Sequence, residues 1–124
     1  MVTFNEHLKS ILEKILISHD MLAKLEDNFG DLDIIKKQLF KINGFFQVIL
    51  DKFDTLESPS SDFLDLKSKI EFNLENYSFE KEIETMSELY SEDSKRLKNI
   101  RLKILESLES NQLMEKIECM LENV

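Results

Sequence analysis

Two histidines, one cysteine and one cluster of bases are the side chains of this 124-residue sequence that invite a search for chemistry. A di-metal site in a helical bundle takes a Glu-x-x-His pair from each of two helices. Here the residue three before His7 is Phe4, and three before His19 is Leu16. Neither an H-E-x-x-H nor a Cys-x-x-Cys pattern is present, so no metal and no cofactor is expected. A phosphotransfer bundle sets its reactive histidine in an H-x-x-K-G-like context. His7 is followed by Leu-Lys-Ser and His19 by Asp-Met-Leu, and both read as ordinary surface or boundary residues. Cys119 lies beside Met120 and Leu121 and is expected to pack as a small hydrophobe. With two glycines in all, no glycine-rich phosphate loop can form. Nucleophilic catalysis needs a nucleophile, a base and a donor pocket, and no such set stands out. The chain is expected not to be an enzyme.

The bases are Lys95, Arg96, Lys98, Arg101 and Lys103, a run that holds both arginines of the chain. Contact with nucleic-acid phosphates is one reading. The run lacks interleaved aromatics, and the acidic remainder of the chain disfavours nucleic acid. The stronger expectation is pairing within the molecule. If the last helix folds back along the one before it, these bases lie beside Glu80, Glu82, Glu84, Glu88 and Glu92. A basic surface patch for a protein partner is the alternative.

The elements that would position these residues are helices. Phe4, Leu8, Ile11, Ile15, Leu22, Leu25 and Phe29 alternate steps of three and four, with only Ser18 interrupting. Leu32, Ile35, Leu39, Ile42, Phe46, Ile49, Phe53 and Leu56 form a second such ladder. Each makes one apolar stripe along a helix, the seam by which long helices pack side by side. The first helix is predicted over about 4–29, with a Thr3–Glu6 capping box and Gly30 as its stop. The second is predicted over about 32–57, capped by Asp31 or Asp33, and the short link makes the two an antiparallel hairpin. Gly44 lies inside the second helix, where close approach of a neighbouring helix, or else a kink, would account for it.

Ser58-Pro59-Ser60-Ser61 is the clearest break, after which Ser61 or Asp62 can cap a third helix over about 62–90. Its apolar series slips phase near Asn76-Tyr77-Ser78. A turn near Ser91–Ser94 then leads to a fourth helix over about 94–123, with a weaker break at Ser110-Asn111. A single helix from 62 to about 109 is the rival. The expected architecture is all-α: one domain over 1–124, an antiparallel bundle of three to four long helices with coiled-coil-like packing.

Composition agrees. Apolar residues make up 42% and charged residues 33% of the chain, with one proline and no tryptophan, which suits a few long helices and argues against a β-rich fold. The lone cysteine cannot form an internal disulfide, which favours a reducing compartment. No basic segment precedes an apolar run near the N-terminus, and the longest unbroken apolar runs are far short of the ~20 residues that span a bilayer. A cytoplasmic protein without a membrane span is expected. The net charge of −9 is concentrated in residues 51–93, which hold 13 acids and 4 bases. Such a field attracts a basic protein partner.

Apolar residues beyond the needs of a core are the remaining signal. Ile17 and Met21 fall to one side of the first stripe, and Phe40 and Val48 off the second. The tail Leu113, Met114, Ile117, Met120 and Leu121 makes an amphipathic helix that can dock on its own bundle or in a partner's groove. Together these residues point to a protein whose work is binding protein. The first expectation is a small acidic chaperone or adaptor; helical bundles of this size and charge occur among flagellar and type III secretion chaperones. A structural coiled-coil subunit of a multi-protein complex, and an inhibitor or immunity-type protein that neutralises a basic target, are the alternatives. Self-association as a homodimer is open as well.

Overall fold

The computed structural model describes residues 4–28, 30–90 and 92–123. Thr3 of the expected capping box, Phe29 at the end of the first apolar ladder, and Ser91 of the expected turn lie outside the described residues. The described residues form α1 (Phe4–Lys24), α2 (Asp31–Phe53), α3 (Ser61–Asn76), α4 (Glu80–Leu89), α5 (Ser94–Glu109) and α6 (Leu113–Asn123), with a 3₁₀ turn at Ser110–Gln112 and no strand. The fold is an all-α bundle.

The helices lie as four rods running alternately down and up. Phe4 at the start of α1 packs against Phe53 at the end of α2, so these two are antiparallel. Phe53 stacks on Phe63 near the start of α3, which therefore descends again, and α4 continues that descent. At the opposite end Arg101 of α5 reaches Leu22 and Asp27, just past the end of α1. From there α5 and α6 climb until Lys116 meets Asp62 at the head of α3.

The two ladders carry this packing. Leu8, Ile11 and Ile15 of α1, and every α2 ladder position from Leu32 to Phe53, are buried at 5% exposure or less. Ser18, which interrupts the first ladder, keeps its inward place and is also buried. Leu66, Ile70, Ile83, Ile100, Ile104 and Ile117 bring the other four helices to the same core. Burying an aliphatic side chain of this size stabilises by about 1.5–3 kcal/mol, so the seam outweighs any single polar contact.

Several boundaries differ from the sequence expectation. The first helix ends at Lys24, not near 29, and Gly30 does not stop it; Gly30 sits at the N-terminus of α2 with φ of 93°. Asp27 itself takes a left-handed φ of 63°, a conformation that Asp tolerates better than most residues. Neither Asp31 nor Asp33 is the N-cap of α2; both lie in its first turn. There they complement the helix dipole, and the Asp31 carboxylate accepts a bond from the Asn28 N–H. The second helix ends at Phe53 rather than 57, where Thr55 Oγ1 donates to the Lys52 carbonyl. Ser60, not Ser61 or Asp62, caps α3 by accepting from the Phe63 N–H.

The predicted third helix over 62–90 is two helices. Its phase slip becomes a break at Tyr77–Phe79, where Phe79 is left-handed with φ of 58° and its ring stacks on Tyr77. Asn76 Nδ2 turns back to donate to the Phe72 carbonyl one turn earlier, and the Tyr77 N–H closes the last turn on the Asn73 carbonyl. The single helix from 62 to 109 is excluded by this break and by a second after Leu89, where Asp93 caps α5 through the Arg96 N–H. The predicted fourth helix over 94–123 is likewise divided, at Asn111 and Gln112, both left-handed. Gly44 does neither thing expected of it. α2 runs through it unbroken, and a Cβ added there would meet nothing within 4 Å.

Candidate protein-interaction surfaces

The side chains singled out as surplus to the core divide by element. Ile17 and Met21 on α1, and Phe40 and Val48 on α2, stand exposed at 60%, 42%, 44% and 39%. They sit on the outer faces of the first two rods because the ladders fix the other face inward. The tail residues do the opposite. Leu113, Met114, Ile117 and Met120 are buried, and Leu121 packs against the core half-buried. The tail is thus part of the fold and does not offer a free binding face. Its stripe faces α1 and α3, and Lys116 fastens it through Nζ–Oδ1 of Asp62 at 2.8 Å and Nζ–Oδ2 of Asp65 at 3.3 Å. These carboxylates hold the Lys116 ammonium above the ordinary lysine pKa, the hydrogen bond to Asp62 contributing most. The same docking turns Cys119 to the outside of α6, contrary to the expectation that it would pack inward.

The basic run is also split. Arg101 leaves the surface patch altogether: it is 7% exposed, and its guanidinium is committed on three sides. Nε donates to Asp27 Oδ1 at 2.7 Å, Nη2 to Asp27 Oδ2 at 3.0 Å and Nη1 to the Leu22 carbonyl at 3.1 Å. A bidentate pair of this kind is among the stronger polar contacts. The Leu22 carbonyl is one of the four acceptors left open at the end of α1, so one arginine closes the helix and orders the turn after it. The hydrogen bond to Asp27 raises the Arg101 pKa further above its already high value, against the opposing cost of burial.

Lys95, Arg96, Lys98 and Lys103 remain at the surface. The ion pairs expected between these bases and the α4 acids are not made among the described residues. Arg96 instead lies 3.8 Å over the Tyr90 ring and pairs with Asp93 at 3.3 Å, in the turn that caps its own helix. Arg96 and Lys103 of α5 and Lys81 and Glu82 of α4 line a cleft of about 420 Å³ floored by Met86 and Ile100. The α4 helix turns its apolar side, Ile83 and Met86, inward. Lys81 and Tyr90 in this cleft were not singled out by the sequence, because only the turn at 90–93 brings them opposite the basic run.

A longer groove lies between α2 and the α3–α4 rod. Two adjoining clefts of about 530 and 430 Å³ share Phe40 in their walls. Gly44 lines the first on the α2 side. Across from them stand Glu80, Glu84 and Glu88 of α4, one turn apart from each other. Asn43 Nδ2 donates to the Ser78 carbonyl at 3.1 Å and ties α2 to the break in the opposite rod.

The histidines take no part in either surface. Both are half-buried, and His19 Nε2 is buried with no hydrogen-bond partner in the protein. Among the described residues no group of three His, Cys, Asp or Glu side chains is placed to hold a metal ion. No helix among them is long and apolar enough to cross a membrane. Comparison with protein-family models, with curated proteins and with solved structures gave no match for this chain.

Proposed function

We propose that this chain is a non-enzymatic protein-binding bundle, a small acidic chaperone or adaptor acting in the cytoplasm. One observation carries the reading: Ile17, Met21, Phe40 and Val48 stay exposed although the chain has already spent its own amphipathic tail on its core. Exposed apolar side chains on the outer faces of both leading helices, beside others such as Leu64, Phe72 and Leu89 on the later ones, give a partner apolar surface to cover. The ladders help to choose among protein-binding roles. A coiled-coil subunit that zips onto foreign helices needs its seam open, whereas here the seam from Leu8 to Ile49 is filled by the chain's own helices. The inhibitor reading draws support only from the excess of acid in residues 51–93, which an adaptor for a basic partner uses equally.

The test is a tagged pull-down from the native cell, with bound proteins identified by mass spectrometry and the complex mass measured by light scattering. One stoichiometric protein partner is expected, lost from an Ile17→Glu/Phe40→Glu variant whose helical circular dichroism is intact. A lone monomer or a homodimer would overturn the adaptor reading. A partner that is an enzyme silenced in the complex would replace it by the inhibitor reading.

A further inference from the structure

Two features of the groove beside α2 weaken the folded chain and are used by nothing within it. The first is Gly44. A glycine inside a helix costs about 1 kcal/mol relative to alanine, and here the missing Cβ makes room for no other part of the chain. It stands one turn after Phe40 and one turn before Val48, so the outer face of α2 reads as large, absent, large, with both flanking side chains exposed. The second is the row Glu80, Glu84 and Glu88. Like charges four residues apart on a helix repel by a few tenths of a kcal/mol per pair, and none of the three pairs with a base among the described residues. Both features border the same groove.

We propose that this groove seats an amphipathic helix of a protein partner, with apolar side chains against Phe40 and Leu74, its backbone close over Gly44, and lysines or arginines at four-residue steps against Glu80, Glu84 and Glu88. The proposal rests on the protein-binding reading and names the site and the chemistry of the partner. The occupant is a helix because both walls are helices, whose backbone groups are already bonded. They offer no edge to an extended strand, which needs one for its main-chain bonds, whereas a helix satisfies its own. The lining from Lys36 to Gln47 is about 17 Å long at 1.5 Å per residue, three turns of such a partner. The missing Cβ at Gly44 is the gap into which a ridge of the incoming helix fits. The carboxylate row, three acids against the single base Lys36 in the lining, sets its charge.

The test uses a display library of 18-residue helical peptides with randomised faces, selected on the full chain. Selected peptides are expected to carry Lys or Arg at four-residue steps beside an apolar stripe. Their affinity, read by fluorescence anisotropy, should fall at least about tenfold on Gly44→Leu and on Glu84→Lys. Gly44→Leu fills the groove where nothing stands and replaces glycine by a strong helix former, so its melting temperature should equal or exceed that of the native chain. Loss of binding in this variant is therefore not loss of fold. Peptides without the basic pattern, binding unchanged by Gly44→Leu, no enrichment at all, or a homodimer that Gly44→Leu dissolves would each overturn the proposal. The native-cell pull-down repeated with Gly44→Leu separates the two claims. A partner retained by that variant leaves the protein-binding reading standing without this groove, and no partner for either chain removes both.

Discussion

The bundle is closed at its two ends by opposite chemistry. Where α1 begins, α2 ends and α3 begins, the rings of Phe4, Phe53 and Phe63 meet with centroids 5.2–6.1 Å apart. Where α1 ends and α2 begins, Arg101 clasps Asp27 and the Leu22 carbonyl. The aromatic end is assembled by burial, which asks only that large apolar surfaces coincide. The clasp end is assembled by direction, because a guanidinium satisfies a carboxylate and a carbonyl only in one geometry. The first tolerates rearrangement. The second does not, since Arg101 left alone is a buried charge without compensation, and Asp27 left alone a partly buried one.

The sharpest test of that contrast is Arg101→Met. It strands both the Asp27 carboxylate and an end carbonyl of α1, and should destabilise the chain by about 3–5 kcal/mol in denaturant unfolding. Adding Asp27→Asn removes the stranded charge while keeping a residue that tolerates the left-handed backbone. The double variant should recover about 1–2 kcal/mol of that loss. A double variant no better than Arg101→Met would mean that closing the Leu22 carbonyl, not charge pairing, is what the clasp supplies.

Phe53→Ala at the other end should cost about 3 kcal/mol, the low side for a buried phenylalanine, because Phe4 and Phe63 can settle into the space. Its effect should be the same in low and high salt. A loss as large as that of Arg101→Met would remove the contrast in tolerance between the ends. Between them, Asn73→Leu deletes the buried bond from Asn73 Nδ2 to the Ser107 carbonyl and should cost about 1–2 kcal/mol, read by thermal unfolding.

The smallest expected effect is a pH dependence confined to the aromatic end. The folded Lys116 pKa is raised by Asp62 and Asp65 above the ordinary 10.5. Its contribution is therefore fully present below that value and is lost as pH rises through the folded pKa. Because Asp62 is 71% exposed, the loss should be below about 1 kcal/mol. Lys116→Met should flatten the alkaline limb of the stability profile. Arg101, whose pKa is raised further above the ordinary arginine value by its bond to Asp27, stays charged through that window, so Arg101→Met should leave this limb unchanged.

The fold was legible where one signal decides the structure. The two ladders place α1 and α2 and their hairpin because a stripe with seven-residue spacing can be buried in only one register. The exposure of Ile17, Met21, Phe40 and Val48 follows from the same periodicity, as does the inward face of the tail. The candidate groove was half legible: Gly44 one turn from Phe40, and Glu80, Glu84 and Glu88 at four-residue steps, can be read from the chain, but not that they face each other. Arg101 shows the limit most clearly. In sequence it is one of five bases within residues 95–103; in the structure it is the one turned inward, because a helix 79 residues away ends beneath it.

Amino-acid order by itself determined that this chain is a bundle of helices, which faces turn inward, and roughly where the rods fail. Local propensity and periodicity act over a few turns and need no partner. Local side chains complete some of these failures, as at Thr55, Ser60 and Asp93, but tertiary structure alone decided three others. The end of α1 at the Leu22 carbonyl is closed by Arg101, the break at Ser78 by Asn43, and the end of α5 at Ser107 by Asn73. Each is a side chain from another rod donating to a carbonyl near a helix end. A helix end leaves its carbonyls open wherever it falls, but which donor reaches them depends on where the neighbouring rod passes, and that is set only when all four rods share one core.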